Sequence, residues 1–215
     1  MRKVDLVQGE FYHIFNRGNS KQIIFKDQKD YERFVRILFI ANSENNFKFR
    51  DALLKGYSVD RGNSLVSIGA WCLMPNHFHL LIKENGEGGI SKFMQKLTTA
   101  YSMYFNTKYS RTGGLFEGRF KSAHIDDDRY LKYIFSYINL NPVKLIDSDW
   151  KEKGIKNKKL SIDFLYNYKF SSFLDFLGII RKESAILDQK SFPKYFPTGD
   201  SFKSEILEWI NFEVK

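Results

Sequence analysis

Trp71-Cys72-Leu73-Met74-Pro75-Asn76-His77-Phe78-His79-Leu80-Leu81-Ile82 is the stretch from which the fold can be read. An apolar run turns at Pro75-Asn76 and resumes with two histidines one residue apart, so strands are predicted at about 65–74 and 77–83. Successive side chains of a strand leave on opposite faces, so His77 and His79 share one face while Phe78 and Leu80 share the other. One face can pack and the other can chelate. Two neutral imidazoles held this way suit a divalent metal but make only half a first shell, and a third ligand has to come from elsewhere. A hydrogen-bonded histidine pair on a sheet edge would read the same way, so the decision rests on the rest of the chain.

Upstream, Phe11 to Phe15 reads as a first strand, stopped by Asn16-Arg17-Gly18-Asn19, a polar turn with two residues that tolerate positive φ. Asp27 caps a helix in which Tyr31, Phe34, Val35, Leu38 and Phe39 recur at helical spacing to about Ala41. Residues 42–64 are polar and glycine-interrupted, which predicts an irregular insertion or a weak extra hairpin. Downstream, Ser91 to about Tyr109 is a second helix with an apolar stripe of Ile90, Phe93, Met94, Leu97, Tyr101 and Tyr104; its other face, Lys92, Gln95, Lys96 and Thr99, is solvated or lines a groove. Leu115 to Ile125 reads as a loop entering a strand, and Asp126-Asp127-Asp128 opens a third helix, where carboxylates favour the macrodipole and cap free amides. Pro142 ends that helix at about Asn141. The order βαββαβα predicts an α+β fold: a ferredoxin-like antiparallel sheet with helices on one face, a last helix able to cross the sheet, and a C-terminal helical appendage.

The chain of 215 residues is long enough to bury a sizeable core. Its formal net charge of +9 favours a polyanionic partner, nucleic acid ahead of an anionic membrane surface. Its 12 Tyr and 21 Phe are mostly core, with some free to stack on unpaired bases. The single cysteine, Cys72, excludes an internal disulfide or a cysteine-based zinc cluster and reads as a small buried hydrophobe. No signal peptide and no membrane-spanning run is visible, so a cytoplasmic, nucleoid-associated protein is expected.

Along the third helix Tyr130, Ile134, Tyr137 and Asn141 fall on one stripe. Such a stripe is usually core. Beside the two histidines, Asn141 can give an amide oxygen as the third metal ligand, and Tyr137, one turn earlier, puts a phenol next to the same ion: a nucleophile beside a Lewis acid.

His77-Phe78-His79 resembles the histidine-hydrophobe-histidine signature of HUH endonucleases, and Tyr137-Ile138-Asn139-Leu140-Asn141 resembles the single-tyrosine transposase helix. With Tyr12-His13-Ile14-Phe15-Asn16-Arg17-Gly18-Asn19, Met74-Pro75-Asn76-His77, Gly114 to Lys121 (GLFEGRFK) and Tyr137 to Lys144 (YINLNPVK), the ordered set resembles the REP-associated tyrosine transposases, relatives of insertion-sequence transposases, over residues 8–146. Asn141 stands where insertion-sequence relatives often carry Gln, so the helix must sit closer or the metal shift; the REP-associated branch accepts Asn. Tyr168 to Ser172 (YKFSS) resembles a short motif that follows the core in that branch.

The resemblance implies a catalytic domain at 1–146 and an extension at 147–215 packed on it. It implies site-specific cleavage and joining of single-stranded hairpin DNA through a 5′-phosphotyrosine on Tyr137, with Mg²⁺ or Mn²⁺ on His77, His79 and Asn141. Arg17, Arg119, Lys121 and Lys144 are the expected DNA contacts. No P-loop is present, in keeping with a reaction that keeps its energy in the covalent link and uses no nucleotide cofactor. A monomer is expected over a homodimer. The rival readings are a zinc hydrolase using His77, His79 and either His124 or His13, and a non-catalytic, domesticated nucleic-acid-binding protein. Two-histidine phosphoesterases need a second histidine motif that is not there.

Overall fold

A computed structural model describes residues 5–46 and 48–211. In chain order the elements are β1 (Phe11–Arg17), α1 (Gln28–Ala41), α2 (Phe49–Lys55), β2 (Val66–Met74), β3 (His77–Glu84), α3 (Gly89–Lys108), β4 (Lys121–Ile125) and α4 (Asp128–Leu140). Four more helices follow among the described residues: α5 (Trp150–Lys153), α6 (Lys158–Asn167), α7 (Phe173–Phe176) and α8 (Gly199–Asn211). The strands form one antiparallel sheet in the order β2-β3-β1-β4, the ferredoxin-like arrangement expected from the sequence.

Strand alternation divides this sheet into two chemically different faces. On one, Tyr12, Ile14, Phe78, Leu80 and Ile82 pack under α1 and α3 against Phe34, Leu38, Phe93, Leu97 and Tyr101. Burying one such side chain fully contributes about 1.5–3 kcal/mol, so this layer holds the sheet together. Asp27 starts α1 as the sequence implies, its carboxylate accepting from the Asp30 amide. On the other face α4 crosses the strands, capped by Asp127 through the Tyr130 amide. Leu131, Ile134, Phe135 and Ile138 of α4 meet Ala70, Cys72, Leu81 and Ile125 there.

Residues beyond α4 complete that second side. Leu140, Val143, Trp150, Leu165, Phe173, Phe202 and Ile206 make a separate apolar cluster. The segment before α7 also runs along β2, the outer strand: the Leu73 amide donates to the Phe170 carbonyl at 2.9 Å and the Ser172 amide to the Trp71 carbonyl at 2.8 Å. Ser172 Oγ accepts from the Trp71 amide at 3.0 Å and reaches Asn139 Oδ1 of α4 at 2.9 Å, which locks strand, extension and helix together. A bare edge strand is thereby covered. At the bulge in β2, Gly69 is required because a Cβ there would lie 2.8 Å from the Phe192 ring.

The structure refines the sequence reading at three places. Of the two alternatives for residues 42–64, the insertion holds: their described residues form no hairpin and contain α2 and a 3₁₀ turn at Gly56–Ser58, too short to announce themselves by periodicity. In the turn after β1, Gly18 keeps φ −61°, and the positive angles fall on Ser20 and Lys21. Gly18 is needed for space, since a Cβ there would lie 2.2 Å from the Gln22 carbonyl oxygen. Pro142 ends α4 where expected, Leu140 being its last residue and Asn141 its cap, but Asn141 keeps φ −51° and ψ −37° and a 3₁₀ helix continues over Asn141–Leu145. Proline fits in its first turn because its missing N–H would have had no partner there. Among the described residues no helix is long and apolar enough to cross a membrane.

Candidate active site

β3 delivers His77 and His79 to the face crossed by α4. Their ring centroids are 5.0 Å apart and the rings are perpendicular. His77 Nδ1 lies 2.6 Å from Asn76 Oδ1, and His79 Nδ1 lies 2.9 Å from Nε2 of a third imidazole, His13 of β1. Burial pushes His77 down to about 4, with Lys144, Arg17 and Lys151 adding to it. Burial and Lys151 push His13 to about 4 as well. Burial, the two other histidines and the same lysines hold His79 well below its ordinary value. All three rings are therefore neutral at pH 7, the state in which histidine binds metal.

α4 sets the half-buried Tyr137 edge-on against this cluster. Its ring is 5.7 Å from His79 and 5.8 Å from His13, at 75° and 81°. Behind it Tyr133 stacks at 5.8 Å, and Tyr130 stacks on Tyr133 at 5.9 Å. Lys151 of α5 places Nζ 3.7 Å from the centre of the Tyr137 ring. The sequence stripe thus separates by burial: Ile134 goes into the core, Tyr130 is exposed, and Tyr137 meets the histidines.

One turn after Tyr137, Asn141 is 2% exposed and its Nδ2 has no hydrogen-bond partner. An amide can present either of its ends by a flip, so this buried amide, one turn along α4 from the tyrosine that meets His79, together with two neutral imidazoles has the donor chemistry that fits a divalent ion. The zinc-hydrolase alternative fares worse. His124 pairs with Tyr12 on the opposite face of the sheet and bonds Glu10 Oε2 at 2.9 Å. Among the described residues no three or more His, Cys, Asp or Glu side chains are placed to hold a metal.

A cavity of about 360 Å³ opens beside His77, lined by Phe15, Asn16, Arg17, Lys21, Asn76, Lys121 and Lys144. Three of the basic residues singled out from the sequence therefore converge. Arg17 is also paired with Glu117, Nη2 to Oε1 at 3.0 Å with a second contact from Nε. Arg119 is elsewhere, in a cavity of about 830 Å³ shared with Gln95, Thr98, Thr99 and Asn106 of α3. Lys96 is not free for a groove: its Nζ donates to the Ser43 and Asn45 carbonyls at 2.8 Å. Lys21 and Lys151 were not singled out from the sequence, and no local signal marks them. Cys72 is buried, and burial pushes its thiol up, as befits a small hydrophobe.

A phenol against paired imidazoles beside a basic cavity suits DNA strand chemistry, and residues 7–141 match the family model of IS200-like transposases. The chain belongs to that family. Among solved structures it is similar to a REP-associated tyrosine transposase bound to a REP hairpin, at 15% identity over 85% of this chain and 89% of that one, with a TM-score of 0.49. Among curated proteins no match was found. The matched segment contains both histidines and Tyr137 and ends on Asn141, whereas Lys144 and Lys151 lie beyond it.

Proposed function

We propose that this chain is a metal-dependent transposase and endonuclease that cleaves and rejoins single-stranded DNA at REP-like hairpins through a 5′-phosphotyrosine on Tyr137. The observation that carries this reading is the Tyr137 ring seated edge-on against His79, 5.7 Å away, on the same face as His77. Residues 1–146 form the catalytic domain and 147–215 the extension packed on it; residues 1–4 and 212–215 lie outside the described residues. Phenol and imidazoles come from one chain, so a monomer suffices for cleavage.

His77, His79 and the Asn141 amide oxygen hold Mg²⁺ or Mn²⁺, which when bound supplies Lewis-acid stabilisation of charge building on the scissile phosphate. Tyr137 attacks phosphorus, the bond to the 3′ oxygen breaks, and the phenolic proton is lost while the departing oxygen gains one. The product is a tyrosine linked to a 5′ phosphate and a free 3′ hydroxyl. A second 3′ hydroxyl reverses the same exchange and joins the strands without ATP. Arg17, Lys21, Lys121 and Lys144 hold backbone phosphates at the mouth of the site, and the Phe15 ring offers a stacking surface to an unpaired base. Arg119 contacts DNA separately, from the α3 cavity.

The test is a denaturing gel of the protein with labelled hairpin DNA from the flanks of its gene and Mn²⁺ or Mg²⁺, beside Tyr137→Phe and His79→Ala. A covalent protein–DNA band that needs metal and is lost in both variants is the expected result. Cleavage that persists in Tyr137→Phe would overturn the reading, and tight binding with DNA left uncut under every metal condition would point to a non-catalytic binder.

A further inference from the structure

The mechanism above leaves His13 without a role, although its ring lies within hydrogen-bond distance of His79. It is 7% exposed and held on several sides: Ala123 of β4 lies across the strand pair, Phe15 is at 5.1 Å, and the Tyr137 ring is at 5.8 Å. Its own ring stacks on His79 at 5.0 Å with 26° between planes, and its Nε2 meets His79 Nδ1 at 2.9 Å.

A neutral imidazole carries one N–H, so one ring of this pair donates and the other accepts. If His13 donated from Nε2, a neutral His79 would carry its proton on its own Nε2 and would have no lone pair left for an ion. If His79 donates from Nδ1, its Nε2 lone pair is free and the His13 proton sits on Nδ1. Only the second arrangement lets His79 act as a ligand. The neighbouring histidine obeys the same rule: the atom 2.6 Å from His77 Nδ1 is the side-chain amide oxygen Oδ1 of Asn76, an acceptor, so His77 also donates from Nδ1 and keeps Nε2 free.

Resting on the reading of His79 as a metal ligand, we propose that His13 is a positioning residue of the metal site. It accepts the His79 Nδ1–H, fixes the tautomer and the ring plane, and so turns Nε2 of His79 toward the ion. Metal-bound histidines usually give this second N–H to a carboxylate or a backbone carbonyl. Here an uncharged imidazole does it, which orients the ligand without adding negative charge where a DNA phosphate must enter.

The test is Mn²⁺ binding to the full-length chain, followed by the loss of the free-ion electron paramagnetic resonance signal, with no DNA present. His13→Ala should weaken binding by roughly 10–100-fold, the usual effect of losing such a partner. His13→Gln, whose amide oxygen can still accept, should recover most of it. Pulsed resonance should count the same number of directly bound nitrogens in the wild type and in both variants. Unchanged affinity in a folded His13→Ala protein would overturn the proposal, and so would a nitrogen lost with His13, which would make it a ligand itself. If wild-type binding survives removal of both His77 and His79, the metal site is misplaced and the proposal falls with it. Thermal melting in chelator separates any of these results from unfolding.

Discussion

The two faces of one sheet, built from the same strands, do opposite things. Under α1 and α3, Tyr12, Ile14, Phe78 and Leu80 meet a continuous apolar layer. Under α4, residues one position along those strands, His13, His77 and His79, are neutral imidazoles, and two of them, His13 and His79, meet the Tyr137 ring. The difference teaches that a two-residue period is enough to keep stability and chemistry apart. Each histidine of β3 is flanked by a core residue that anchors its backbone, so the site is held rigid by side chains that never touch it.

The sharpest way to break this comparison is to cut each face separately. Tyr137→Phe should abolish the covalent DNA adduct while leaving the melting temperature near wild type; a large loss of stability would mean that the phenol belongs to the core. Phe78→Ala, on the opposite face between the two histidines, should cost about 3–5 kcal/mol in a chemical denaturation curve, because the ring packs against Phe34 at 5.1 Å. Activity that survived at temperatures where this variant stays folded would confirm that the two layers are separable.

Acid should distinguish the faces next. In metal-free, chelated buffer, His13 and His77 have folded values near 4 against 6.5 for the free side chain. The unfolded chain therefore takes up protons first, and stability is present above about 6.5 and drains away as pH falls toward 4, by up to about 1.4 kcal/mol per pH unit for each ring. The other face has its own titrating group later in the descent. Burial raises the Asp30 carboxylate, but bonds from Lys108, Tyr109, the Lys26 amide and Tyr104 outweigh it and hold it below the usual 3.8. Its contribution is present above that value and is lost as pH falls through the lower folded one. Melting temperature against pH should show two descents, and His13→Gln should flatten only the earlier. The smallest effect belongs to Lys151→Ala, which removes a cation from the Tyr137 ring and should slow adduct formation about two- to fivefold, the worth of an exposed contact of this kind.

Much of this was legible because the signals are local. The histidine alternation, the turn at Pro75-Asn76 and the caps at Asp27 and Asp127 each act within a few residues, and each has its structural counterpart. Tyr137 was legible because the helical period puts it one turn before Asn141. What stayed hidden depends on register between distant segments. That His13 bonds His79 follows only from the pairing of β1 with β3. That Lys151 reaches the Tyr137 ring follows from how the chain folds back after Leu145, and nothing in Trp150-Lys151-Glu152-Lys153 announces it. Lys21 enters the basic cavity from a turn in which it and Ser20, rather than Gly18, take the positive φ.

The cover along β2 has a consequence for the order in which the protein is made. Ser172 bonds Trp71 across 101 positions of sequence, whereas the family segment is finished at residue 141. At a synthesis rate of about 5–20 residues per second, the 172 − 141 = 31 intervening residues take roughly 2–6 s to appear. Through that interval the nascent chain already carries Tyr137 and the two histidines of β3, while its outer strand is open to any passing β segment. A message cut or stalled between those two points would release a protein that holds the whole family segment and whose outer strand is not yet covered.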